Sequence, residues 1–145
     1  MLRDPFSVLV VIKRNDGKIL VIQRKDDADF WQSVTGGIEP NESPIECAYR
    51  EVYEETGINC KQLKLVIKDL GLQFKYEIRE QWLYRYKQGC KLNTENVFAL
   101  RVPNSQKIKL CPEEHTDYKW LKPRLAKKKV WSQSNKVAIN FVRNV

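Results

Sequence analysis

Three carboxylates, Glu51, Glu54 and Glu55, sit within the stretch GGIEPNESPIECAYREVYEETGI that runs from Gly36 to Ile58. On a helix advancing about 100° per residue they share an arc of about 100°, so all three project to one side. Like charges at i,i+4 cost about 0.2–0.5 kcal/mol even on an exposed helix, so Glu51 and Glu55 disfavour it on their own. Arg50 is the only cation between Pro44 and Thr56 and cannot neutralise three acids. A hard divalent cation suits such an arc: Mg²⁺ takes few carboxylates and keeps positions for phosphate and water. Held there, it would polarise a bound phosphate and acidify a bound water. A solvated acidic face is the plainer reading, and for an isolated E-x-x-E-E the commoner one.

The residues around the acids predict the helix that must present them. Ser43 suits the N-cap, Pro44 the first helical position, and Glu46 completes a Ser-x-x-Glu capping box. Gly57 supplies the left-handed stop. Ile45, Ala48, Tyr49 and Val52 fall on the side that packs inward. Cys47, at a small-residue position on the acidic face, is expected to be buried.

Upstream, Ser7–Lys13 and Lys18–Gln23 are rich in β-branched residues, with Asn15-Asp16-Gly17 as the hairpin turn between them. Both are apolar on both faces, which predicts central strands. A polar loop from Arg24 leads through a short strand at Gln32–Thr35 to Gly36. Downstream, strands are expected at Lys61–Lys68, Asn96–Val102 and Tyr118–Leu121, with an aromatic-rich stretch from Phe74 to Tyr86 and a turn at Gln88-Gly89. From Pro123 the pattern is helical, and Val137, Ala138, Phe141 and Val142 predict the docking face of a terminal helix. Mixed strands around two main helices make an α/β sandwich.

Composition narrows the partners. A chain of 145 residues with 42% hydrophobic content is expected to form one domain, residues 1–145, and no apolar run reaches the roughly 20 residues of a membrane helix. No secretory address is legible, which implies the cytoplasm and no membrane partner. Cys47, Cys60, Cys90 and Cys111 are scattered beside a single histidine, which disfavours a zinc site and a disulfide framework. A net charge of +8 points to an anionic partner, either nucleic acid or a free polyphosphate. The basic run Arg124–Lys129 is read as a solvated helix face.

Gly36, Glu42, Arg50, Glu51, Val52, Glu54, Glu55, Gly57 and Ile58 resemble the Nudix box, G-x5-E-x7-R-E-U-x-E-E-x-G-U, at every fixed position. The resemblance implies a Nudix hydrolase of fold class α/β: an α/β/α sandwich with a mixed β-sheet and the box (36–58) as loop-helix-loop. It implies metal binding by Glu51, Glu54 and Glu55, a catalytic group of Glu51, Glu54 and Arg50, and structural roles for Gly36, Glu42 and Gly57. Glu42 and Arg50 would brace the ligands.

Beyond the box, the Arg24–Gly36 segment (F-W-Q-S-V-T-G), Asn93-Thr94-Glu95, Glu114-His115 and Tyr118-Lys119-Trp120-Leu121 resemble one bacterial subfamily, the dihydroneopterin triphosphate pyrophosphohydrolases, also described as dATP pyrophosphohydrolases. That likeness implies Mg²⁺, with Mn²⁺ as a substitute, and adds Glu114 to the metal set. Substrate contacts would fall on Arg3, Arg24, Thr35, Tyr76, Glu77, Ile78, Arg79 and Ser132. The implied partner is a small-molecule triphosphate: dihydroneopterin triphosphate, on the way to folate, or dATP and other purine triphosphates of the nucleotide pool. A non-catalytic, basic RNA-binding Nudix module is the third reading, and three intact acids argue against it. The base is open among Glu51, Glu54, Glu114 and His115, and family members range from monomers to dimers.

Overall fold

The computed structural model describes residues 2–143. A mixed sheet is built around β1 (Phe6–Arg14), which runs parallel to β6 (Leu92–Val102) from Phe6 opposite Thr94 to Arg14 opposite Val102. The other strand-to-strand pairings are antiparallel: β2 (Ile19–Arg24) and β4 (Val34–Gly37) with β1, β3 (Trp31–Gln32) and β7 (His115–Leu121) with β2, and β5 (Lys68–Glu77) with β6. The expected hairpin joins β1 to β2.

Both faces of β1 are covered, as its unbroken apolar run predicted. Val8, Val10 and Ile12 pack beneath α1 (Pro44–Thr56) with Ala48, Val52, Ile58, Phe98 and Leu100. Leu9 and Val11 pack on the other side with Val97, Ala126, Ala138, Ile139 and Val142, beneath α3 (Pro123–Lys129) and α4 (Gln133–Val142). Each such aliphatic side chain contributes about 1.5–3 kcal/mol when fully buried. The result is the expected α/β/α sandwich. Among the described residues, no helix is long and apolar enough to cross a membrane.

Several expectations are corrected. Lys61–Lys68 is not a strand: Cys60–Leu63 forms a short helix, α2, and β5 begins only at Lys68. The Asn59 side chain accepts from the Gln62 N–H at 3.1 Å and starts the turn, and Lys64, at φ 57°, ends it. Val66 is 76% exposed, so the apolar run there is not a buried strand. The aromatic stretch continues β5 to Glu77 and then coils into a 3-10 turn, Glu80–Arg85. The segment Gln32–Thr35 is two strands, broken at Ser33. β7 starts three residues before Tyr118 and lies mostly exposed along the outside of β2.

The docking face of α4 is also rotated from the predicted one. Asn135, Ala138, Ile139 and Val142 face inward, whereas Val137 and Phe141 are 41% and 45% exposed. A polar residue anchors that face, which hydrophobic periodicity alone cannot see. Asn135 accepts from the Ser33 backbone N–H at 2.8 Å and donates to the Ser33 hydroxyl at 3.0 Å.

Candidate active site

Helix α1 forms as its sequence dictates. The Ser43 hydroxyl accepts from the Glu46 N–H at 3.2 Å, Glu46 accepts from the Ser43 N–H at 2.9 Å, and Gly57 closes the helix in the left-handed region. Its acidic side is solvated only in part. Glu51 is 8% exposed and Glu55 1%, while Glu54 lies at the surface. Burial therefore replaces the plain acidic face with two desolvated carboxyls, an arrangement that costs stability unless something compensates.

Arg50 compensates for part of it. Its guanidinium donates to both oxygens of Glu42 at 2.7 and 2.8 Å, to Glu51 at 2.6 Å, to Glu54 at 3.2 Å and to the Gly37 carbonyl at 3.0 Å. The paired hydrogen bonds from Arg50 hold the Glu42 carboxyl down at about 2. Glu42 thus anchors Arg50, which in turn holds Glu51. Cys47 is fully buried beside them, and that burial raises its thiol well above the ordinary range.

Glu55 lacks such a partner. One carboxyl oxygen, Oε1, is buried without a hydrogen bond and stands 3.6 Å from His115 Nε2. Burial pushes the Glu55 carboxyl well up, and the charges of Glu51 and Glu114 push the same way against a hydrogen bond from the Thr35 backbone. Burial also raises Glu51, although Arg50 opposes it. His115 is itself buried and is lowered to about 4 by desolvation and by the charge of Arg24, so it is neutral near pH 7.

Two glycines let the loop close on these groups. A Cβ on Gly36 would lie 2.1 Å from the carboxyl carbon of Glu51, and one on Gly37 would lie 2.3 Å from Nη2 of Arg3. A side chain at either position would force the Glu51 carboxyl or the Arg3 guanidinium to move. Gly37 was missed by the sequence reading, although the Gly36-Gly37 doublet was its signal.

The other expected residues divide. Glu114, exposed just before β7, is close enough for its charge to act on Glu55. Arg24 pairs with Asp26 at 2.7 Å and lies over the Trp82 ring at 4.6 Å. Arg79 sits over Trp82 at 4.5 Å and Trp131 at 4.6 Å, with one buried nitrogen, Nη1, unpartnered. Thr35 spends its hydroxyl on the Val8 carbonyl at 2.9 Å. Tyr76 turns its hydroxyl inward to Asn93. No hydrogen bond or ion pair links Glu77, Ile78 or Ser132 to the acids; Ile78 is buried, and Ser132 caps α4 by accepting from the Asn135 N–H at 3.2 Å. Trp82 and Trp131, which complete the arginine stack, were also missed.

Among the described residues, no three acid, histidine or cysteine side chains already converge as a cage for an ion. The donor set still fits a hard divalent cation, being all oxygen with one buried carboxylate oxygen left without a partner.

A model of the NUDIX domain matches residues 3–141. The chain belongs to the Nudix family. It is 42% identical to the dihydroneopterin triphosphate diphosphatase of Escherichia coli K12 over 144 residues, covering 98% of this chain and 95% of that protein. The Haemophilus influenzae protein of the same name is 36% identical over 134 residues, 92% of this chain and 84% of that one. The solved E. coli dihydroneopterin triphosphate pyrophosphohydrolase superposes with a TM-score of 0.93 at 39% identity, covering 100% of this chain and 99% of that one. The Nudix box is thus the loop and helix whose acids Arg50 and the two glycines position.

Proposed function

We propose that this Nudix protein hydrolyses dihydroneopterin triphosphate to dihydroneopterin monophosphate and pyrophosphate, with dATP and other purine triphosphates as slower substrates. The observation that carries the reading is end-to-end likeness to enzymes of that name together with an intact acid cluster on α1. We propose with it a role in folate biosynthesis and a cytoplasmic location.

Nudix hydrolases generally use a divalent metal, and Mg²⁺ is the ion proposed here, with Mn²⁺ able to replace it. Glu51, Glu54, Glu55 and Glu114 would hold it. When bound it supplies charge neutralisation for the phosphates and an acidified water. The chain's own work is positional. Arg50 fixes Glu51 and Glu54, and Glu42 fixes Arg50. Arg3, Arg24 and Arg79 offer planar guanidinium forks for phosphate oxygens. His115, neutral and buried, orients against Glu55. The base is assigned within the catalytic pair Glu51 and Glu54, the surface-lying Glu54 being the freer to meet a water.

The test is pyrophosphate release from dihydroneopterin triphosphate and from dATP with Mg²⁺, compared as kcat/KM. A higher value for the pterin compound supports the reading; a clear preference for dATP would replace it with the nucleotide-pool enzyme. Purified protein that cleaves neither but binds RNA with a steep salt dependence would favour the binding module.

A further inference from the structure

We propose that Glu95 reads the heterocycle of the substrate, its carboxyl accepting the paired N–H donors of a 2-amino-4-oxo ring, the edge that a pterin shares with guanine and that adenine lacks. This assignment rests on the reaction proposed above and names the group that would set its ring preference.

The placement follows from strand register. β1 and β6 run in parallel with Ser7 opposite Glu95, and β5 sets Tyr76 opposite Asn93. Side chains alternate along a strand, so with Val8 under α1, Ser7 lies on the face covered by α4. Asn93 and Glu95, in step with Val97, share that face. Ser134, in the first turn of α4, completes a polar nest in an otherwise apolar layer.

That nest holds more acceptors than donors. Glu95 is 4% exposed and receives only the Ser134 hydroxyl at 2.9 Å and the Tyr76 hydroxyl at 3.5 Å. A carboxylate can accept about four hydrogen bonds. Asn93, 1% exposed, donates to Ser7 at 2.7 Å and to Tyr76 at 3.1 Å, but its carbonyl oxygen has no partner. A nest that served only the fold would be closed by its own donors, because unmet buried acceptors cost stability. Burial lifts the Glu95 carboxyl to about 7 even though both hydroxyls pull it down. Incoming N–H groups would supply what is lacking. Adenine brings a ring acceptor beside its single amino group, which faces another acceptor here.

The nest is joined to the box loop by one row of the sheet. Its rim, Tyr76 and Ser134, is partly exposed. Gly37, Ser7 and Glu95 lie in one row across β4, β1 and β6, which spans about 10 Å at two strand spacings. Gly36 faces Glu51, so Gly37 faces the opposite side, where the Arg3 guanidinium covers it. Arg3 therefore lies at the Gly37 end of the row that leads through Ser7 to Glu95, where its guanidinium could meet a phosphate of a substrate whose ring reaches the nest.

The experiment compares kcat/KM for dihydroneopterin triphosphate, dGTP and dATP at pH 8 with Mg²⁺, in the wild type, Glu95→Gln and Glu95→Asp. The pterin-to-dATP and dGTP-to-dATP ratios are expected to fall about 10- to 100-fold in both variants, as for loss of a bidentate base contact, with the loss mainly in KM. The aspartate variant keeps the charge but withdraws it, so it decides the matter if the glutamine variant does not fold. Equal changes for all three substrates, or none, would overturn the assignment. If the wild type cleaves dGTP and dATP but not the pterin compound, the proposed function falls. Glu95 is then judged on the dGTP-to-dATP ratio alone: a fall upholds its role and an unchanged ratio ends it.

Discussion

Two buried carboxyls, Glu55 and Glu95, lie on opposite faces of the same sheet, and their surroundings differ in kind. Glu55 is ringed by charge: Glu51 and Glu114 repel it, Arg50 is committed to its neighbours, and one of its oxygens is unpartnered. Glu95 is ringed by neutral groups, two hydroxyls and an amide whose oxygen is also unpartnered. The first environment calls for a cation and the second for hydrogen-bond donors without charge. Both are buried, so it is the neighbours that distinguish the proposed place for metal and phosphate from the proposed place for a ring.

The largest effect that would break this contrast is on turnover. Glu55→Gln keeps the shape and removes the charge, and it is expected to lower kcat by about 10³-fold or more, the scale of losing a group that stabilises transition-state charge. Steady-state kinetics on the folded variant checks it, and near-wild-type turnover would place Glu55 outside the reaction. Arg50→Ala should follow with a loss of about 10- to 100-fold, as for partners that orient metal ligands. It should also lower stability by about 1–3 kcal/mol, because Glu42 and Glu51 lose their donor. Denaturant unfolding measures the second part.

Glu42 in the acid cluster and Glu95 in the nest should respond to pH with opposite sign. Glu42 is held at about 2, below its ordinary value of 4.5, so the unfolded chain binds more protons between those limits. Its contribution is present above pH 4.5 and is lost as pH falls through 2. Glu95 is raised to about 7, so there the folded chain binds more protons. Its contribution is present below pH 4.5 and is lost as pH rises through 7. Melting curves should therefore show Glu95→Gln gaining thermal stability over the wild type at pH 8 more than at pH 4. A variant less stable than the wild type at pH 8 would mean that the nest serves the fold. The smallest effect concerns Cys47, whose thiol should react slowly with thiol reagents in the native state; rapid labelling would place it at the surface.

What was legible in the sequence was local. The box helix announced its caps, its glycine stop and the run of acids, because each depends on residues within a turn or two. The hairpin and the central strands were legible from unbroken β-branched runs. What was not legible depended on distant partners. Asn135 belongs to the buried face of α4 only because Ser33 lies across from it, 102 positions away. Glu95 gave no signal beyond its place in Asn93-Thr94-Glu95, since its burial comes from Ser7, Tyr76 and Ser134 on three other elements. The short helix at Cys60 was masked by apolar residues that suited a strand, while Asn59, the capping residue that decided it, was overlooked.

The most direct test of the central claim, that the α1 acids require a divalent cation, is calorimetric titration of Mg²⁺ or Mn²⁺ into the folded wild type and Glu55→Gln. Saturable binding to the wild type that is weakened about 10-fold or more in the variant is the expected result. No binding heat in the wild type, or equal binding by both proteins, would contradict the account.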